Sequence, residues 1–332
     1  MNHIAVFGAG SWGTAFASIL ADGGNDVRVW GRRPELVAQL NSGVNEEYLP
    51  GVDLPSGISA STDPAAVADG ADIVVLSVPS QSLRDNLTEW APLLRGDRIV
   101  VSLMKGIELG TTKRMSEVIH EVAGTPTERI GVVSGPNLAR EIIQRQPAAT
   151  VVACPDGTAA DRVAAACSTS YFRPYTSTDV IGAELGGAVK NVIALAVGMA
   201  SGLGMGDNTK ASIITRGLAE TTRLAEALGA DPRTMAGLAG VGDLIATCMS
   251  PLSRNHSFGV KLGEGLTVPE VTAVTKQTAE GVKSCASILD LARAHGVDVP
   301  ITEQVTRAVH EEVPPKAIVR SLLSRARKAE TE

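Results

Sequence analysis

A glycine-rich segment near the amino terminus, Gly8-Ala-Gly10-Ser-Trp-Gly13, limits the possible folds more than any other part of the chain. It follows the apolar run HIAVF and precedes a helical pattern over 14–21, after which a second β-branched run, DVRVW, begins. Glycines at this spacing permit a tight turn, a close approach of the backbone to a pyrophosphate and close helix packing, with the phosphate at the positive helix end. An ordinary glycine turn is the alternative. The order of strand, loop, helix and second strand favours a dinucleotide-binding βαβ unit.

Two arginines, Arg32 and Arg33, follow the second run. NAD-specific versions of this motif usually carry an acid there, which accepts a hydrogen bond from the ribose 2'-hydroxyl, whereas an arginine accommodates a 2'-phosphate. The sequence therefore predicts that NADPH is preferred and that NADH is possible. Two solvated arginines before a helix start at Pro34 are the alternative, and the use of both coenzymes stays open.

The pattern of predicted elements divides the chain into two parts. Short β-branched runs alternate with helical patterns in the first half, which is typical of βαβ units and a mostly parallel sheet. From residue 179 onward long helical segments follow, and one of them, 182–198, is apolar nearly all round, as at the centre of a helical domain. With 332 residues the chain exceeds the roughly 250 to 300 residues of one core. We predict an α/β Rossmann-like amino-terminal domain, 1–178, and an all-α carboxyl-terminal domain, 179–332.

The composition narrows the expected partners and location. The formal net charge is −6, and nucleic acid and anionic membranes both attract a surplus of positive charge, so neither is expected to bind. No signal-peptide pattern precedes the first strand, and the apolar run 192–206 is shorter than the ~20 residues of a membrane span. The four cysteines are scattered, without a CxxC or Cys/His cluster, which predicts reduced thiols in the cytoplasm and no metal site. A homodimer is the expected assembly.

A lysine within the apolar helical segment is the first candidate catalytic residue. Lys190 has glycines, Ile193 and Ala194 three and four residues away along its helix. Lysine is almost never fully buried without a partner, and burial beside small residues lowers its pKa toward ~7 to 8, which suits proton transfer. An ion pair with Glu184, or a side chain that reaches solvent, is the alternative.

Polar loops follow several predicted strands, and in a doubly wound sheet ligands bind at the carboxyl ends of the strands. Lys105 is the charged residue of one such loop, with a solvated lysine as the alternative. Another segment carries Asp243, Ser253, Arg254 and Asn255 among small residues. Arginine matches phosphate oxygens in a bidentate manner, so this segment predicts an oxyanion or phosphate clamp. Asp243 and Ser253 as helix caps are the alternative.

Several separated blocks together resemble the bacterial NAD(P)-dependent glycerol-3-phosphate dehydrogenases along nearly the whole chain. These blocks are GAGSWGTA, KGIE, SGPNLARE, DVIGAELGGAVKN, MGDNTKA, AGVGDLIATC, SRN and AEGV, in the family's order and approximate spacing. The resemblance implies a Rossmann-like domain followed by a helical domain. It also implies the reduction of dihydroxyacetone phosphate to sn-glycerol 3-phosphate, a precursor of phospholipids.

The resemblance also implies roles for individual residues. Lys190 is expected to donate and accept the proton, with Lys105 beside it at the substrate, so these two are the expected catalytic residues. The expected substrate contacts are Lys105, Gly135, Asn137, Lys190, Asp243, Ser253, Arg254 and Asn255. The expected cofactor contacts are Gly8, Gly10, Ser11, Trp12, Gly13, Arg32, Arg33, Lys105, Ala139, Arg254, Thr278 and Glu280.

Three positions depart from the family pattern. Asn137 stands where a serine or threonine followed by phenylalanine is usual, so an amide replaces a hydroxyl contact. The block LMKG replaces small residues before Lys105, and Thr278 stands where valine is common. These departures concern single contacts and leave the family assignment unchanged.

Two rival functions share parts of this pattern. A 3-hydroxyacid or phosphogluconate dehydrogenase has the same architecture and a lysine on the central helix, but such an enzyme acts on carboxylates, and the SRN block sets this chain apart. A non-catalytic regulator that senses NADPH would use the fold only for binding. An assay with NADPH and dihydroxyacetone phosphate distinguishes all three.

Overall fold

The computed structural model describes residues 2–275, 279–324 and 329. Eight strands lie within these ranges, and six of them coincide with continuous apolar or β-branched runs of the sequence. The strands are β1 (His3–Phe7), β2 (Asp26–Trp30), β3 (Ile58–Ser61), β4 (Ile73–Leu76), β5 (Ile99–Ser102), β6 (Ile130–Ser134), β7 (Ala148–Ala153) and β8 (Phe172–Ser177).

These strands form one sheet in the order β3-β2-β1-β4-β5-β6-β7-β8. All neighbouring pairs are parallel except β6 and β7, which are antiparallel. At the centre Ile4 of β1 lies opposite Val27 on one side and Ile73 on the other. The strand order reverses between β1 and β4, which is the point where doubly wound sheets bind ligands.

Helices cover both faces of the sheet, which explains why its central strands are continuously apolar. One face packs Val6, Val29 and Val75 against Phe16 of the first helix, and the other face packs Phe7 and Leu76 against a second layer of helices. The helices of this part are α1 (Ser11–Asp22), α2 (Pro34–Asn41), α3 (Pro64–Ala68), α4 (Leu83–Trp90), α5 (Met115–Ala123), α6 (Ala139–Ile143) and α7 (Gly157–Cys167).

The chain becomes helical after the sheet. Asp179 caps the next helix, because its side chain accepts a hydrogen bond from the Gly182 amide. A π-helical turn, Leu238–Gly242, lies in this part. The helices are α8 (Val180–Gly202), α9 (Asp207–Ala227), α10 (Pro232–Met235), α11 (Asp243–Met249), α12 (Arg254–Gly263), α13 (Val268–Thr275), α14 (Glu280–Ala294), α15 (Pro300–His310) and α16 (Pro315–Leu323).

Helix α8 is the centre of the helical part, and nearly all of its residues are buried. It approaches α12 closely where glycines face each other: a Cβ added to Gly198 would lie 2.9 Å from the Gly259 Cα. By length and composition α8 is apolar enough to cross a membrane, but 83% of its most apolar stretch is buried inside the protein. It is therefore the core helix around which the other helices pack.

The predicted fold class, an α/β Rossmann-like domain followed by an all-α domain, is confirmed. The helix predicted over 14–21 begins earlier, at Ser11. Strands β3 and β8 are additions to the predicted sheet. The four cysteines are free thiols, and all are buried.

Candidate active site

The glycine loop between β1 and α1 forms a cradle for a phosphate. Gly8 has a φ of +126°, which side chains rarely adopt, and a Cβ there would collide with Ser77 of the strand-end loop. A Cβ on Gly13 would lie 3.1 Å from the carbonyl carbon of Gly8, so α1 packs directly on the loop. A Cβ on Gly10 would meet nothing within 4 Å. Open space therefore lies in front of the α1 amino terminus, where backbone N–H groups attract an anion.

Other residues expected at the cofactor surround this cradle. Trp12 packs against Phe16, and its buried indole N–H has no partner among the residues that the structure describes. The Ser11 hydroxyl donates to the Tyr48 carbonyl at 3.4 Å. A buried donor without a partner fits a site that a ligand completes. The loop thus has the backbone shape and the donors that a dinucleotide needs.

The two arginines after β2 differ in their surroundings. Arg32 is exposed, whereas the Arg33 guanidinium donates to Glu47 at 2.6 Å, an ion pair that raises the pKa of Arg33. Arg254, exposed in the first turn of α12, acts electrostatically on Tyr48: it lowers the pKa of that phenol, although burial has the larger, opposite effect. A charged residue of the helical part thus lies near Tyr48, in the segment between α2 and β3.

Lys105 lies in the loop after β5, where neighbouring strand ends meet. Its ammonium donates to the Gly135 carbonyl of the loop after β6 at 3.0 Å and to Asp243 Oδ2 at 2.7 Å. Asp243 begins α11, and its side chain is 1% exposed. The structure therefore joins Lys105, Gly135 and Asp243, three residues far apart in sequence, at the carboxyl edge of the sheet.

Lys190, on α8, reaches the other oxygen of the same carboxylate. Its ammonium donates to Asp243 Oδ1 and, at 2.8 Å, to the Thr247 hydroxyl. Burial lowers the pKa of Lys190 to about 7, against the opposing effect of Asp243 and together with the charge of Lys105. The alternative partner, Glu184, is occupied elsewhere: it accepts from Arg114 at 2.7 Å. Asp243 is thus the carboxylate that holds Lys190.

A pair of asparagines fixes the backbone beside these lysines. Asn191 donates to the Lys105 carbonyl at 3.1 Å and accepts from Asn255 at 3.0 Å. Asn255 in turn accepts from the Gly281 amide at 2.9 Å. This chain of hydrogen bonds joins α8, α12 and α14 to the Lys105 loop.

The remaining expected site residues lie around this centre. Ser253 caps α12 by accepting from the His256 amide at 3.2 Å, as in the alternative interpretation of that residue. Glu280, the first residue of α14, accepts from the Ser80 hydroxyl at 2.7 Å in the loop after β4. Ala139 begins α6 after the Asn137 loop, and Thr278 lies outside the described residues.

Sequence reasoning did not single out Thr247 and Asn191, although both contact the lysine centre. Thr247 lies four residues after Asp243, one helical turn away, which is a detectable spacing once Asp243 is a candidate. Asn191 follows Lys190 directly, and its role depends on the Lys105 carbonyl, which no local pattern places there.

The glycine cradle, together with the buried Lys190 and the partly buried Lys105 at the edge of a doubly wound sheet, defines a dinucleotide-dependent oxidoreductase. Two family models match: the NAD-dependent glycerol-3-phosphate dehydrogenase N-terminus over 3–160 and the corresponding C-terminus over 179–320. The chain belongs to this family.

Individual relatives agree with this assignment. The chain is 64% identical to "Glycerol-3-phosphate dehydrogenase [NAD(P)+]" of Streptomyces griseus over 98% of this chain and 97% of that protein. It is 60% identical to the protein of the same name from Thermobifida fusca, over 99% of both chains. A crystal structure of glycerol-3-phosphate dehydrogenase from Coxiella burnetii superposes with a TM-score of 0.93 at 36% identity, covering 98% of this chain and 99% of that one.

Proposed function

We propose that this protein catalyses the reversible NAD(P)H-dependent reduction of dihydroxyacetone phosphate to sn-glycerol 3-phosphate, which supplies glycerophospholipid synthesis. The observation that carries the proposal is the pair of ammonium groups, Lys105 and Lys190, on the one carboxylate of Asp243. When Lys190 is protonated, the two ammonium groups and the one carboxylate leave this centre with an excess of one positive charge. A pocket of that kind attracts an anionic substrate even in a chain of net charge −6.

Lys190 is the group that transfers the proton. A pKa of about 7 keeps both its ammonium and its amine available near neutral pH, as a group that works in both directions requires. The nicotinamide, when bound, supplies the hydride for the ketone carbon. Lys190 then protonates the oxygen that would otherwise become an alkoxide, and Lys105 stabilises the negative charge that develops there.

Arg254 and its neighbours are proposed to hold the substrate phosphate. Arg254 lies in the first turn of α12, a helix that Ser253 caps and whose amino terminus favours anions. The Asn255 amide donates a hydrogen bond to Asn191 of α8 at 3.0 Å, so the segment that carries Arg254 is bound to the helix of Lys190. Gly135, Asn137 and Asp243 complete the proposed substrate contacts.

The proposed coenzyme preference is for NADPH, because Arg32 and Arg33 replace the acid that a 2'-hydroxyl would need. Each charge-assisted hydrogen bond from an arginine contributes about 1.5 to 3 kcal/mol. We expect Arg32→Ala with Arg33→Ala to lower kcat/KM for NADPH about tenfold or more relative to NADH. Glu47→Gln serves as the control, since it frees Arg33 without removing a positive charge. If the ratio of kcat/KM for NADPH to kcat/KM for NADH is unchanged in the double variant, the arginines do not contact the 2'-phosphate.

The reaction is tested by mixing the protein with dihydroxyacetone phosphate and NADPH, in parallel with NADH, and following nicotinamide absorbance. Coenzyme oxidation that depends on this substrate is the expected result. Oxidation with 3-oxoacids instead would favour a hydroxyacid dehydrogenase. Coenzyme binding without turnover of any of these substrates would favour a sensing protein.

Three further expectations, on location, assembly and domain division, accompany this proposal. The four buried free thiols are in keeping with a reducing cytoplasm, and a homodimer is checked by light scattering after gel filtration. The division into domains 1–178 and 179–332 is supported by the end of β8 at Ser177 and by the cap of α8 at Asp179.

A further inference from the structure

Asn137, in the loop after β6, holds a buried polar atom that no group among the described residues satisfies. Its amide nitrogen donates to the Thr150 hydroxyl at 3.0 Å, while its oxygen, Oδ1, is buried and has no hydrogen-bond partner in that part of the chain. The same loop supplies the Gly135 carbonyl that receives the Lys105 ammonium at 3.0 Å. A buried acceptor without a partner therefore lies in the loop that borders the catalytic lysine.

Thr150 determines which end of the Asn137 amide faces away from the strand. A hydroxyl has one hydrogen, and that of Thr150 is donated to the Ser134 carbonyl at 3.1 Å. Only lone pairs then face Asn137, so the amide must present its N–H groups to Thr150. Thr150 is completely buried on β7 and cannot turn to solvent. The orientation of the Asn137 amide is thus set by a residue of another strand.

We propose that Thr150 is a positioning residue for substrate selection, because it turns Asn137 Oδ1 toward the substrate as a hydrogen-bond acceptor. This inference rests on the proposed function. Dihydroxyacetone phosphate carries one free hydroxyl, which is a donor, whereas a fully ionised phosphate or a carboxylate offers acceptors alone. An acceptor at this place therefore selects a substrate that carries a hydroxyl beside its ketone. It disfavours an anionic group at the same position.

The test compares dihydroxyacetone phosphate with acetol phosphate, which has a methyl group in place of that hydroxyl. One neutral hydrogen bond corresponds to a preference of about three- to tenfold, and a buried acceptor left unpaired raises it further. We expect the wild type to prefer dihydroxyacetone phosphate in kcat/KM by about tenfold or more.

Thr150→Val keeps the shape of the side chain but removes the hydroxyl. We expect it to raise KM for dihydroxyacetone phosphate and to reduce the preference about tenfold. Thr150→Ser keeps the hydroxyl and should retain the preference. Asn137→Leu removes the acceptor while Thr150 stays intact, so it should lose the preference to the same extent, even if Thr150→Val folds poorly.

The double variant Thr150→Val with Asn137→Leu separates positioning from general stability. If Thr150 acts through the amide, its substitution changes the preference in the Asn137 background but not once Asn137 is leucine. The inference is wrong if Thr150→Val or Asn137→Leu keeps the wild-type preference for dihydroxyacetone phosphate over acetol phosphate. It is also wrong if Thr150→Val lowers that preference equally with Asn137 and with leucine at position 137. Wild-type turnover of dihydroxyacetone phosphate reports the proposed function separately, because a wild type inactive on this substrate would reject that function and the inference with it.

Discussion

Lys190 shows how much of a site depends on groups that lie far apart in sequence. The small residues around it indicate burial, and burial alone lowers the pKa of an ammonium group. The partner could not be chosen from local spacing, because Glu184, six residues away on the same helix, pairs with Arg114 instead. Asp243 follows more than 50 residues later and is brought in by the packing of α11 on α8.

The first prediction concerns the role of Lys190 itself. Lys190→Ala should abolish reduction of dihydroxyacetone phosphate, because no other buried ammonium group takes the same position between Asp243 and Thr247 among the described residues. NADPH binding, measured by its fluorescence, should persist. Lys316→Ala, which removes an exposed lysine of α16, is the matched control. Turnover near the wild-type rate in Lys190→Ala would exclude this lysine from proton transfer.

The second prediction concerns pH. Because Lys190 has a pKa of about 7, it is mostly protonated below pH 7 and mostly neutral above it. Reduction needs the protonated form, so kcat/KM for dihydroxyacetone phosphate should fall as the pH rises through about 7. Oxidation of sn-glycerol 3-phosphate needs the neutral form, so its rate should rise over the same interval. Profiles measured in both directions check this reciprocity.

Asp243→Asn tests the origin of that pH dependence. The carboxylate raises the pKa of Lys190, whereas burial and Lys105 lower it. Without the carboxylate the pKa should fall further, and the decline of the reduction rate should begin at a more acidic pH. A profile that stays in place, or that moves to higher pH, would contradict the role assigned to Asp243.

At the scale of elements, the loop before α1 offers two glycines with opposite expected effects. A Cβ on Gly13 would press on the Gly8 carbonyl, so Gly13→Ala should destabilise the protein by about 1 to 3 kcal/mol. Apart from its chain neighbours, a Cβ on Gly10 meets no atom of the described residues within 4 Å, so Gly10→Ala should keep a Tm near the wild-type value. That Cβ enters the space in front of the helix, and the Kd for NADPH should rise about tenfold or more. Equal losses of stability in both variants would contradict this separation.

The elements that the sequence failed to predict share a physical cause. Strand β3, ISAS, carries serine at every second position, and β8, FRPYTS, is polar and contains Pro174. Both lie at the edges of the sheet, where one side of the backbone is unpaired and proline is tolerated. Central strands buried on both faces leave a continuous apolar run, which is the pattern that local sequence reveals. The antiparallel pairing of β6 with β7 depends on the connection through α6, and periodicity carries no information about it.

At the scale of the whole molecule, the sheet and the helical part meet through both apolar and polar contacts. Val132 and Ala153 of the sheet pack against Val180 and Ala183 of α8. Between α14 and the Lys105 loop, the Ser287 hydroxyl donates to the Ile107 carbonyl at 2.9 Å. Lys105 belongs to the sheet part and Lys190 to the helical part, so the two lysines meet at Asp243 only while these contacts between the two parts are intact.

The ion pair between Glu184 and Arg114 is a further contact between the helical part and the sheet part, and a single substitution removes it. Glu184 on α8 accepts from Arg114 Nη1 at 2.7 Å and from the Ser116 amide and hydroxyl at 2.8 and 2.6 Å, all from the α5 region. Its side chain is 4% exposed, and burial raises the pKa of the carboxyl despite these donors. The carboxylate therefore depends on α5 for every one of these hydrogen bonds.

Glu184→Ala should leave Arg114 with its exposed partner Glu117 in place of a buried one and lower the free energy of unfolding by about 1 to 3 kcal/mol. The loss should appear in denaturant unfolding and should raise KM for dihydroxyacetone phosphate, because Lys190 lies on the same helix as Glu184 while Lys105 lies on the other side of the contact. Glu303→Ala, which breaks an exposed pair with Arg293 at 3.5 Å, is the control and should change stability by about 1 kcal/mol or less. Equal effects of the two substitutions would mean that the Glu184 contact does not hold the sheet and the helical part together.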